Sequence, residues 1–125
     1  MNASTKSGKK KTIRKLKPNK AMADNLFRTI IRKKYNLMCV ICQTTYNPQV
    51  AHLISRRYYQ TRWDTTNAVI LCARHHMKYT HDPLGWEDWC EKWLGKEEWQ
   101  ALKVKARLYG KTNYKQLIID LNARP

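Results

Sequence analysis

The chain reads CVICQTTYNPQVAHLISRRYYQTRWDTTNAVILCARHH from Cys39 to His76. Two pairs of metal-ligating residue types stand at the ends of this stretch, Cys39 with Cys42 and Cys72 with His75, each pair separated by two residues. A Cys-x2-Cys pair in a tight turn presents two thiolates to one ion, and the second pair completes a tetrahedral set. Three sulfurs and one imidazole nitrogen predict a closed, structural zinc site.

Buried free cysteines in a small core are the alternative interpretation of this spacing. A chain of 125 residues buries only about two-thirds of the surface that its unfolded form exposes, so a metal cross-link meets a physical need of the fold. The chain has 4 cysteines, which is fewer than a secreted disulfide scaffold of this length would carry. Cys90, the one outside the ligand spacing, lies among apolar residues at helical spacing, which predicts a buried position.

The residues between the two ligand pairs predict a hairpin followed by a short helix. Segments 49–54 and 68–71 are strand-like, and residues 73–80 can form a helix. If the strands pair in antiparallel fashion, the helix crosses the hairpin. His52 of the first strand would then face His76 of the helix.

We therefore expect an α+β fold with a single domain over residues 19–125. Its predicted parts are an N-terminal helix at 19–36, a zinc-containing ββα core at 37–81 and a helical extension at 82–125. Residues 1–18 are rich in Lys, Ser and Thr and lack the apolar content that would compensate for ordering them, so they predict a disordered basic arm.

The extension is predicted to contain three helices with aromatic-rich core faces. Asp82 and Pro83 resemble an N-cap and first helical residue, opening a helix that ends near Gly95. A second helix is expected to stop at Gly110. The apolar residues that mark the second and third helices are Trp99, Leu102, Ala106 and Tyr109, and then Tyr114, Leu117, Ile118 and Leu121.

The charge balance points to a polyanionic partner. Twenty-five Lys and Arg against 9 Asp and Glu leave a net charge of +16, which favours nucleic acid over a membrane surface because the basic residues are spread along the chain. No apolar run approaches the roughly 20 residues needed to cross a bilayer, and the N-terminus does not resemble a secretory signal. These features predict a protein of the reducing cytoplasm.

Three segments of the chain resemble the HNH, or ββα-metal, endonucleases, particularly their zinc-bound phage recombination-endonuclease type. AHLISR at 51–56 is similar to the strand that carries the family's first histidine, and NAVILC at 67–72 is similar to its asparagine strand. His75 and His76 resemble the terminal pair. The resemblance covers about a third of the chain, and its motifs occur in order with the zinc ligands interleaved.

This resemblance implies a catalytic role for three residues. His52 would be the general base that activates water, Asn67 would hold the loop so that His52 points correctly, and His76 would bind a catalytic Mg²⁺ or Mn²⁺. Cleavage in this family leaves 5′-phosphate and 3′-hydroxyl ends. The implied setting is duplex or branched DNA in phage recombination or genome processing, with recombination or packaging proteins as partners in the bacterial cytoplasm.

One position departs from the family pattern. Many members carry Asp or His directly before the general base as a metal ligand, and this chain has Ala51. His81, Asp82 and Asp64 stay open as replacements, although Asp82 is more simply an N-cap. Weak or phosphate-assisted metal binding is the expected consequence.

The segment after His52 mixes cations with aromatic rings. Arg56, Arg57 and Arg62 are predicted to contact DNA phosphates, whereas Trp63 is predicted to lie in the core.

A non-catalytic zinc-containing nucleic-acid-binding protein is the alternative function, and the absence of a metal ligand at Ala51 favours this alternative. A structural zinc protein that binds a protein partner through its tryptophan-rich helices is a third. DNA preference and oligomeric state stay open.

Overall fold

Strands Pro48–His52 (β1) and Ala68–Cys72 (β2) form a two-stranded antiparallel sheet in the structure, a computed structural model that describes residues 17–123. Six α-helices surround the sheet in this part of the chain, which confirms the α+β class. In chain order they are α1 (Lys20–Lys34), α2 (Tyr59–Arg62), α3 (Ala73–Thr80), α4 (Pro83–Leu94), α5 (Lys96–Ala106) and α6 (Tyr114–Asn122), with a 3₁₀ turn at Thr65–Asn67.

The hairpin pairs as predicted, with Pro48 opposite Cys72 and His52 opposite Ala68. All five residues of β2 are buried, because helices cover both faces of the sheet. Val69 and Leu71 pack toward α4 and α5, whereas Ala68 and Ile70 pack toward α1 and α6. A continuous apolar run is what a strand buried on both faces requires.

Helix α1 confirms the predicted N-terminal helix. The side chain of Asn19 caps it by accepting a hydrogen bond from the Met22 amide at 2.9 Å. Ala23, Phe27 and Ile31 recur every fourth residue and form its buried face. The predicted basic arm lies outside the described residues, except for Lys17 and Pro18, which have no regular structure.

The helices of the extension follow the predicted order, with one error in length. Asp82 caps α4 through the amide of Gly85 at 3.0 Å, and Gly95 ends it with a φ of 93°. Helix α5 ends at Ala106, not near Gly110 as predicted. Tyr109 is fully exposed, so no burial favours continuing the helix beyond Ala106. Within residues 17–123, every helix is too short or too polar to cross a lipid bilayer.

Candidate metal centre and adjoining cavity

The first cysteine pair lies in a tight turn that docks on the sheet. The amide of Gln43 donates to the carbonyl of Cys39 at 2.9 Å, and the amide of Val40 donates to the carbonyl of Ile70 at 2.9 Å. Gln43 adopts a left-handed conformation with a φ of 60°, which closes the turn. The turn therefore brings Cys39 and Cys42 to the end of β2, where α3 begins.

Cys39, Cys42, Cys72 and His75 converge there, with their ligand atoms all within 4.8 Å of one another. His75 Nδ1 lies 3.7 Å from Cys39 Sγ and 3.3 Å from Cys72 Sγ, and the sulfurs of Cys42 and Cys72 are 3.9 Å apart. Zinc bonds of about 2.3 Å to sulfur and about 2.0 Å to nitrogen place tetrahedral corners about 3.5 to 3.8 Å apart. The spacing fits a tetrahedral ion, whereas a disulfide needs its sulfurs at about 2.05 Å.

The local electrostatics also suit a cation. Burial opposes ionisation of Cys39, but backbone amides of Cys42, Cys72 and Ile41 outweigh it and lower the pKa of Cys39 to about 6. Backbone N–H groups aimed at a sulfur stabilise its thiolate, which is the form that binds metal. The predicted four-residue group is thus confirmed as one that could hold a metal such as zinc.

His52 lies at the end of β1, half-buried against α1. Its Nε2 is 3.0 Å from the carbonyl oxygen of Arg62, and because a carbonyl only accepts, Nε2 carries the proton. The ring stacks on Phe27 with centroids 5.3 Å apart. Burial is the main cause that lowers the pKa of His52 to about 4, and the charges of Arg56 and Arg62 act in the same direction. His52 is therefore a neutral imidazole at cellular pH.

His76 lies in α3, directly after the last member of the cysteine and histidine group. Its Nδ1 is 2.6 Å from the side-chain oxygen of Gln49 on β1, so the ring donates its proton there. Within residues 17–123, the lone pair of Nε2 has no hydrogen-bond partner. Burial lowers the pKa of His76, which favours the neutral ring whose lone pair a metal ion needs.

Both imidazoles line the same open cavity of about 840 Å³. Its walls come from α1, β1, the loop after β1, α3 and α4. The charged residues in its lining are Asp24 and Arg28 of α1 and Arg56 of the loop. The two histidines predicted to act together thus share one cavity, next to the cysteine and histidine group.

Asn67 is fully buried and holds the segment after β1 in place. Its side-chain oxygen accepts from the Ile54 amide at 2.8 Å, and its nitrogen donates to the carbonyls of Ile54 at 3.1 Å and Thr61 at 3.0 Å. The Leu53 amide still donates to the Asn67 carbonyl at 2.9 Å, but at Ile54 the Asn67 side chain takes the place of a strand partner. The strand β1 therefore ends at His52 and does not reach Ile54 as predicted.

Replacing Asn67 by Ala should lower the free energy of unfolding by about 3 kcal/mol, because three backbone groups lose their partners in a buried setting. Urea denaturation measures this difference. The matched control is Asn122→Ala on the exposed side of α6, for which we expect a change within about 0.5 kcal/mol. Equal stabilities of the two variants would contradict this assignment.

Several predicted site residues lie elsewhere. Arg62 is only 9% exposed and pairs with Asp24, an environment that does not fit the predicted phosphate contact. Asp64 caps the 3₁₀ turn and pairs with Lys105 at 2.7 Å. His81 is exposed and Asp82 caps α4, and neither they nor Asp64 line the cavity of His52 and His76.

The position before His52 offers no ligand either. Ala51 is buried and packs in the core beside Val69. Trp63 and Cys90 are buried, as predicted. Arg56 and Arg57 are exposed, and their contact with DNA phosphates stays a prediction.

Two charged residues of the cavity, and one residue that binds a cavity histidine, were missed from the sequence. Asp24 and Arg28 lie on α1 and line the cavity, and neither was predicted to belong to the site. Gln49, which orients His76, had no motif to mark it. Only the packing of α1 against the sheet brings Asp24 and Arg28 to the cavity, and only the packing of α3 brings His76 to Gln49. Comparison of the chain with protein-family models, curated proteins and solved structures finds no match.

Proposed function

We propose that the protein is a small metal-dependent DNA endonuclease of the HNH type. It hydrolyses phosphodiester bonds to leave 5′-phosphate and 3′-hydroxyl ends, in phage recombination or genome processing. The observation that carries this proposal is the shared cavity of His52 and His76. Each ring has one nitrogen bound to a protein oxygen, and the other nitrogen has no hydrogen-bond partner among residues 17–123.

His52 is the general base in this proposal. Its Nε2 proton is held by the Arg62 carbonyl, so the lone pair of Nδ1 accepts the proton of an attacking water. The low pKa of about 4 keeps the ring unprotonated at neutral pH. The hydrogen bonds of Asn67 to Ile54 and Thr61 hold the loop on which this geometry depends.

His76 is the protein ligand of the catalytic ion in this proposal. A divalent ion at its Nε2 would stabilise the charge that develops on the leaving 3′ oxygen. Asp24 is the one carboxylate in the described lining of this cavity, and it already accepts hydrogen bonds from Arg62 and Trp63. The protein would thus supply few ligands, and phosphate and water oxygens would have to complete the shell, as Mg²⁺ commonly allows. An imidazole ligand favours Mn²⁺ over Mg²⁺.

The charge of the chain supports DNA as the substrate. The net charge of +16 attracts a polyanion, and Arg28 and Arg56 line the proposed catalytic cavity from two different elements. Asp24 adds little negative potential there, since it is paired with Arg62. A phosphate that enters between Arg28 and Arg56 would reach the two histidines.

Replacing Arg56 and Arg57 together by Gln should weaken DNA binding about equally for all sequences. Two lost phosphate contacts should reduce the slope of log K against log salt by about 2. Fluorescence anisotropy at several salt concentrations measures the slope. The control is Lys96→Gln with Lys115→Gln, two exposed lysines outside the cavity. Equal slopes for the two double variants would remove this segment from the interface.

The deciding experiment is cleavage of supercoiled plasmid, nicked duplex and four-way DNA by the zinc-loaded protein. Mg²⁺ or Mn²⁺ should be omitted in the control, not chelated, because a chelator would also remove zinc. We expect nicking that requires the added ion and is lost in His52→Ala. DNA binding without cleavage of any of these substrates would favour the non-catalytic nucleic-acid-binding alternative.

A further inference from the structure

We propose that Asp24 and Arg62 are positioning residues that hold His52 in its base-competent orientation. The ring of His52 donates a hydrogen bond to the backbone carbonyl of Arg62. The side chain of Arg62 in turn forms a bidentate ion pair with Asp24 of α1. The inference rests on the proposed function for its catalytic consequence, but the positioning itself can be measured without any cleavage assay.

The backbone of Arg62 sets the tautomer of His52. Arg62 is the last residue of the one-turn helix α2, and carbonyls in the last turn of a helix have no partner within it. This carbonyl accepts the Nε2 proton of His52 at 3.0 Å. The bond directs the Nδ1 lone pair away from Arg62.

The side chain of Arg62 ties three segments together. Its Nε and Nη2 donate to the two carboxylate oxygens of Asp24 at 3.0 and 2.7 Å, and its Nη1 donates to the carbonyl of Arg56 at 3.0 Å. The guanidinium of Arg62 thereby joins α1, the loop after β1 and α2. A bidentate pair of this kind fixes direction as well as distance, which a lysine in the same place would not do.

Asp24 is itself held in one orientation. Trp63 donates its indole proton to the same oxygen that accepts from Arg62 Nε, at 2.8 Å. The side chains of Arg62 and Asp24 are only 11% and 18% exposed, so neither has water as a full substitute for its partner. Loss of either residue should therefore move the Arg62 carbonyl, and with it the ring of His52.

The test compares Asp24→Asn, Arg62→Gln and Arg62→Lys with wild type, all zinc-loaded. The matched control is Lys105→Gln, which breaks another 2.7 Å ion pair, with Asp64, outside the His52 contacts. Nitrogen-15 NMR of the histidine rings reports the tautomer of His52. We expect a single Nε2-protonated ring in wild type and in Lys105→Gln, and a mixture of tautomers in Asp24→Asn and Arg62→Gln.

Cleavage kinetics give the second readout. In Asp24→Asn and Arg62→Gln, kcat should fall about 100-fold, the cost of a misplacement of about 1 Å, with KM within about twofold of wild type. Arg62→Lys should recover little of this loss. The variant that combines Asp24→Asn with Arg62→Gln should be no slower than either single variant, because each substitution alone already breaks the ion pair.

The outcomes separate the two proposals. Unchanged His52 ring signals in folded Asp24→Asn and Arg62→Gln would overturn the positioning role, as would an equal response in Lys105→Gln. If Arg62→Gln does not fold, Asp24→Asn alone decides in the same way. If the ring signals respond but wild type cleaves no DNA, the positioning role stands and the nuclease proposal fails.

Discussion

Replacing Cys42 by Ser is expected to abolish cooperative folding at 25 °C. Zinc binding contributes about 10 to 16 kcal/mol to small zinc-dependent folds, whereas a domain is stable by only about 5 to 15 kcal/mol. The turn at Cys39 and Cys42, the end of β2 and the first turn of α3 meet at this one group. In the variant, the two remaining thiols and the imidazole would have to pack without metal bonds to join them.

Thermal unfolding followed by circular dichroism, together with native mass spectrometry for metal content, checks this expectation. The wild-type protein should carry one zinc ion and lose its transition in excess chelator. Because protons compete for thiolates and imidazole, zinc should also be released as the pH falls. The matched control is Cys90→Ala, which removes a buried sulfur outside the ligand group found among residues 17–123. This variant should retain zinc and a cooperative transition. A metal-free wild type with an unchanged melting temperature would contradict the zinc site.

Replacing His52 by Ala is expected to lower kcat by about 10³-fold, within the range of 10²- to 10⁴-fold that general-base catalysis supplies. DNA affinity should stay within about twofold, since a neutral ring contributes little to phosphate binding. Single-turnover nicking and fluorescence anisotropy measure the two quantities. The control is His81→Ala, because His81 is exposed and does not line the cavity. Equal rates for His52→Ala and wild type would exclude His52 as the base.

The pH dependence of the rate tests the same residue. Burial disfavours the imidazolium and lowers the pKa of His52 to about 4, so the base is unprotonated at any pH well above 4. An ordinary histidine, with a pKa near 6.5, would lose most of its activity between pH 6.5 and 5.5. The cleavage rate of the zinc-loaded protein should therefore hold through this interval. A rate that halves near pH 6.5 would contradict the buried, neutral ring.

Local features of this chain could be predicted because short-range interactions decide them. Asp82 and Pro83 begin α4 through a cap and a preset φ, and the short apolar run from Ala68 to Cys72 favours a buried strand. These effects act within one helical turn or one strand. The sequence therefore predicted each of these elements to within a few residues.

Errors arose where burial depends on distant segments. Tyr109 continues the apolar spacing of α5, yet nothing packs against it and the helix ends at Ala106. Arg62 lies in the basic segment after His52 and was therefore predicted to contact DNA phosphates. Its ion-pair partner Asp24 lies 38 residues earlier in the chain. An ion pair between such distant residues leaves no local pattern in a single sequence.

The sequence by itself determined the four residues that could hold zinc, because ligand chemistry and a two-residue spacing suffice to specify such a group. It also determined the hairpin and the helix that follows it. Only the tertiary structure decided which charged side chains face His52 and His76. Packing of α1 onto the sheet brings Asp24 and Arg28 to the cavity and turns Arg62 inward, since a buried guanidinium requires a carboxylate and bound carbonyls in place of water.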